Sequence, residues 1–251
     1  MNSQRLRTLI GRYHQSLVII ALSILLSASF ISYKLVSALP IEPRGTMDRP
    51  ILAIEIPRNE GEMSGLVSRQ SVSDWRTIIR WDFFFIAGYV LLFVALWLPD
   101  SPATLDGTQR RGNLWQSVVF CIIATGIADC FENASILLCL GNIDRDTKLA
   151  GSRAFTTLPI FGTLKWLLFF LACRALALQY RERSSRWYWI GVGLRPLTTA
   201  GAWATLLAFA GLPGRPVIAF VAGLATVLIL AASVTRLFPE TIAQEVSAVP
   251  A

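Results

Sequence analysis

The chain has 251 residues, is 54% hydrophobic, and carries a formal net charge of +7 with a mean hydropathy of +0.54. So apolar a composition, gathered in long blocks, excludes an ordinary soluble domain and indicates a polytopic membrane protein. The basic residues are scattered over loops and helix ends, with no basic stripe among interleaved aromatics. That pattern orients helices in a bilayer and argues against nucleic acid as a partner.

The N-terminus carries Arg5, Arg7 and Arg12 and no acid, and an apolar run follows to Lys34. This predicts a first transmembrane helix over 16–38 with its N-terminus in the cytoplasm. Val36, Ser37 and Ala38 also place small residues where a signal peptidase cuts. The run is longer than a usual signal-peptide core, which favours an uncleaved anchor. Residues 39–74 are then expected as a long outer loop. Between Glu42 and Arg80 the sequence has six arginines and six acids, a balanced surface. Four prolines oppose a long helix in its first half. Ile51–Ile56 is a short apolar run with no clear periodicity. Asn59 followed by Glu62 resembles a helix cap, with Met63, Leu66 and Val67 on one face. The expectation is a short amphipathic helix on the outer membrane interface.

Ser73 or Asp74 is the expected cap of a second membrane helix over 75–98, with Trp75, Trp81 and Trp97 as an aromatic belt. A third spans 114–140 and a fourth 155–178. Arg181, Arg183 and Arg186 follow in a short loop, a cytoplasmic signal. Proline at a first turn starts a fifth helix, over 196–212. A tight turn at Leu212–Gly214 leads to a sixth over 216–238. Thr198, Thr199, Gly201, Ala219 and Gly223 are small enough to let the last two helices approach closely. The fold class is therefore an all-α membrane bundle of about six helices forming one domain over 1–251. It belongs in a cell inner membrane, with both termini cytoplasmic.

Chemistry concentrates in the third helix. Asp129, Glu132 and Asn133 lie three and four residues apart, hence on one face. Charges at membrane depth are costly and face a protein interior with a partner. Glu132 lies eight residues below the end of its helix and Lys165 eight below the start of the fourth, so an antiparallel pair sets them side by side. Asp129 is a turn deeper and Asp82 a turn shallower, with Tyr89 on the Asp82 face. Three acids facing one base cannot all ionise cheaply, which suits either a register-fixing ion pair or a proton carrier.

The one histidine, His14, excludes histidine-rich zinc sites. Cys121, Cys130, Cys139 and Cys173 all lie in apolar segments without a C-x-x-C, against a disulfide or thiol-redox role. No metal and no cofactor is expected. The leading functional reading is a structural or accessory membrane protein. A proton- or cation-coupled transporter of a small solute comes second, and an intramembrane enzyme on a lipid-like substrate third. Expected partners are the lipid bilayer and either a partner helix or a small solute.

Overall fold

A computed structural model of the chain describes residues 3–39, 50–97, 109–149, 151–181 and 185–237. These residues form eight α-helices, a short 3-10 turn and no strand. In chain order they are α1 Ser3–Ala38, α2 Pro50–Glu55, α3 Glu60–Leu66, α4 Val72–Trp97, α5 Gln109–Asp144, α6 Arg153–Arg181, α7 Ser185–Phe209 and α8 Arg215–Leu237. Five of them contain segments long and apolar enough to cross a membrane: Gln15–Ala38, Arg69–Leu96, Val119–Asp144, Arg153–Leu178 and Arg215–Ser233. The sixth long helix, α7, is not among these. Arg195, Pro196, Thr198 and Thr199 interrupt its apolar run.

The long helices pack mainly in the order α1, α4, α5, α6, α7, α8, each against the next. Their faces are inverted relative to a soluble bundle. On α5, Phe120, Ile127, Phe131 and Leu138 are more than half exposed, whereas Asp129, Glu132 and Asn133 are buried. An apolar exterior around a polar interior is stable only where the surroundings are themselves apolar, as in lipid.

Three apolar clusters hold the bundle. The first joins α1 and α4–α8 around Leu25, Phe93, Ile122, Leu176 and Ile229. The second gathers Met63, Trp75, Ile136 and Leu158 at the end that holds the α5–α6 loop. The third joins α2, α6, α7 and α8 around Leu52, Ile56, Phe170 and Ile218.

The described part of the segment between α1 and α4, residues 50–71, is folded into the bundle rather than over it. Pro50 opens α2, where its missing N–H is harmless. Leu52, Ala53, Ile54 and Ile56 are all buried, and α2 touches α5, α6 and α8. Asn59 then caps α3, its Oδ1 accepting from the Glu62 N–H at 2.9 Å. Met63, Leu66 and Val67 do share a face, but that face packs on Trp75 and Ile136, not on a membrane interface.

Several expected details are corrected. The helix expected over 196–212 begins at Ser185, and Pro196 lies inside it. The second membrane helix begins at Val72, behind a 3-10 turn capped by Ser68, so Ser73 and Asp74 sit in its first turn. Trp75 is fully buried in the second cluster instead of joining a belt. Gly201 serves α6 rather than α8, since a Cβ there would lie 2.4 Å from the Phe170 ring. Gly223 faces open space. Of the outer loop expected over 39–74, residues 40–49 lie outside the described residues.

Candidate functional site: a lysine held by three carboxylates

The intramembrane polar residues lie between the apolar clusters. On α5, Asp129 and Glu132 fall between Ile122 of the first cluster and Ile136 of the second. On α6, Lys165 falls between Leu158 of the second and Phe170 of the third. Glu55 ends α2 between Ile54 and Ile56, which belong to the second and third.

Lys165 is the centre. Its Nζ lies 3.0 Å from Glu55 Oε1 and 3.2 Å from Asp129 Oδ1, and it contacts Glu132 Oε2. All three carboxylates thus lie within ion-pair reach of the one ammonium, while Asp129 Oδ1 and Glu132 Oε2 accept no hydrogen bond among the described residues. Surrounding groups fix the acids in turn. Trp166 Nε1 donates to Glu55 Oε2 at 3.1 Å, and the Lys165 ammonium sits 5.3 Å from the centre of a Trp166 ring. Tyr89 Oη donates to Asp129 Oδ2 at 3.0 Å. Asn133 Nδ2 donates to Asp82 Oδ2 at 2.8 Å, one turn along α5.

Burial is nearly complete, with side-chain exposures of 7% for Lys165, 6% for Asp129 and 0% for Glu132. Glu132 Oε1 has no hydrogen-bond partner among the described residues. Close packing requires glycine at position 162. A Cβ there would lie 2.5 Å from Glu132 Oε1 and 2.7 Å from the Glu55 carbonyl oxygen.

Asp129, Glu132 and Lys165 thus come together, with Tyr89 attached through Asp129, while Asp82 and Asn133 form a separate hydrogen-bonded pair one residue along α5 from Glu132. Glu55 and Trp166 escaped the sequence reading. The signal for Glu55 was present: an acid inside the apolar run Ile51–Ile56 has no reason to be there unless that run is buried. Four carboxyls and one ammonium would sum to 1 − 4 = −3 if every group ionised. Among the described residues no group of three or more His, Cys, Asp or Glu is placed to hold a metal ion.

A second, part-buried ion pair, also missed, ties α3 and the end of α2 to α8. Arg215 Nη2 donates to Glu62 Oε2 at 2.9 Å and to the Ile56 carbonyl, and Nη1 pairs with Glu62 Oε1. Glu62 also accepts from the Arg58 N–H at 2.7 Å. Partial burial pushes the Glu62 carboxyl up. The hydrogen bonds from Arg215 and Arg58 outweigh that push and hold it below the ordinary 4.5.

Comparison with protein-family models, curated proteins and solved structures finds no match.

Proposed function

We propose that the protein is a six-helix inner-membrane protein of structural or accessory role, in which the lysine–carboxylate core locks the α1–α4 segment inside the bundle. One observation carries this reading: Lys165 binds Glu55 of α2 and the two α5 acids at once. A buried charge left without partners is costly, so such a site restricts which elements can meet. The arginine clusters at Arg5–Arg12 and Arg181–Arg186 support cytoplasmic termini, and the α1–α4 and α5–α6 segments then face outward. Five helices meet the length and apolarity of a span. A sixth span by α7, about 37 Å long at 1.5 Å per residue, returns the C-terminus to the side of the N-terminus.

The lock is tested by protease protection. In vesicles that expose the outer face, wild-type protein should resist trypsin at Arg58 and Arg69. Lys165→Met should release the segment and admit cleavage at both. Continued protection in Lys165→Met, at normal abundance, would remove the structural reading.

A proton-coupled carrier is the second reading, favoured by the excess of carboxyls over ammonium and by the unpartnered Glu132 Oε1. Neutral carboxyls in apolar surroundings react with hydrophobic carbodiimides. The carrier reading expects an adduct on Asp129 or Glu132 that forms more slowly as pH rises. A core that never reacts across the pH range has no exchangeable proton to carry. The intramembrane-enzyme reading has no comparable support. Two cavities lie at the α6–α7 face and beside the α5–α6 loop, and Lys165 lines neither.

A further inference from the structure

Arg174 stands apart from the polar core. It lies on α6 four residues before Leu178, where the apolar segment ends, about 6 Å from that end at 1.5 Å per residue. A cation at this depth requires a counter-charge or a route to the headgroups. Among the described residues, the guanidinium has no carboxylate within ion-pair reach. Among the described residues it makes one hydrogen bond, from Nη1 to Thr199 Oγ1 of α7 at 2.8 Å. A guanidinium carries five N–H donors, and the described residues take up one of them.

Beside it, a cavity of about 200 Å³ opens between α6 and α7, lined by Leu171, Ala202, Trp203 and Leu206 as well as Arg174 and Thr199. Leu171, Trp203 and Leu206 are 51%, 65% and 44% exposed, so the cleft continues onto the apolar exterior. Its occupant must carry an anion at one end and an apolar chain at the other. We infer that this cleft binds an anionic phospholipid from the leaflet at the C-terminal end of α6. The lipid's phosphate pairs with Arg174, and an acyl chain lies along Leu171, Trp203 and Leu206. Binding of this kind needs the bundle to sit in a membrane and is independent of what the Lys165 core does.

The test uses the full chain reconstituted in vesicles of equal parts phosphatidylglycerol and phosphatidylcholine with matched acyl chains. Native mass spectrometry then counts the lipids retained. Wild type should retain phosphatidylglycerol over phosphatidylcholine by about tenfold, the factor that one charge-assisted hydrogen bond can supply. Arg174→Gln should abolish that preference. Ala202→Phe leaves the arginine in place and fills the cleft, so it should lose bound lipid of both kinds. Equal retention of the two lipids by wild type would overturn the proposal, as would Ala202→Phe keeping the wild-type ratio. Displacement of the lipid by inorganic phosphate would also overturn it, because a free anion would then suffice. If Arg174→Gln fails to reach the membrane, wild type and Ala202→Phe still decide.

Discussion

Lys165 and Glu132 are not equivalent partners, although each contacts the other. Counting eight residues from two helix ends is enough to set them side by side in the sequence. Taken as an isolated pair, loss of either member would strand the other. Glu55 and Asp129 change that expectation, because Lys165 keeps two carboxylates without Glu132. Glu132→Gln should therefore retain wild-type membrane abundance and melting temperature. It removes one of the mutually repelling carboxyls and preserves shape. Lys165→Met leaves three buried carboxyls facing one another and should cost about 3–5 kcal/mol, read as lost abundance. Adding Glu132→Gln to Lys165→Met should recover only part of the loss, since Glu55 and Asp129 remain. Full recovery would mean that the other two carboxyls do not depend on the lysine. Asp129 and Asp82 were readable for the same reason as Glu132: a helix of known rise measures depth. For Glu55 the apolar run around it signals burial but not a partner, because no helical ruler connects a segment outside the membrane helices to the bundle interior.

Among elements, the α2–α3 segment and α7 were the least legible. A proline at 196 after Gly191 and Gly193 reads locally as a helix boundary. Proline inside a helix costs about 3 kcal/mol, but α7 packs along both α6 and α8, and that burial overrides the local preference. The short helix over Glu60–Leu66 was readable from its Asn59 cap. Where its apolar face goes was not, since the same pattern serves a lipid surface or a protein neighbour. The Arg215–Glu62 pair makes the docking of this segment sensitive to acid. Glu62 titrates below its ordinary value when folded, so its contribution is fully present above 4.5 and fades as pH falls through the lower, folded value. Thermal stability in detergent should decline on acidification below about 4.5, and Glu62→Gln should flatten that decline while lowering stability at neutral pH. An identical acid decline in Glu62→Gln would assign the sensitivity to another group.

For the molecule as a whole, composition and long apolar blocks were enough to read an all-helical membrane bundle, and five helices have the required length and apolarity. Orientation rests on arginine placement alone. Reporter fusions near Glu60 and Lys148 should report the outside, and fusions near Arg110 and Ser184 the cytoplasm. A cytoplasmic signal at Glu60 would invert the arrangement and place the α2–α3 segment on the inner face. The clamp on that segment also has a consequence in time. Arg215 follows Glu62 by 153 residues. At roughly 5–20 residues per second, the ribosome delivers the arginine about 8–30 seconds after its partner. Until then Ile56 and Glu62 have no anchor on α8, and the apolar side of α2 lacks part of its cover. The nascent protein therefore passes through an interval in which five long helices precede α8 and the α2–α3 segment is still incompletely docked. A chain truncated before α8 would remain in that state, lacking both the Arg215–Ser233 span and the anchor for the α2–α3 segment.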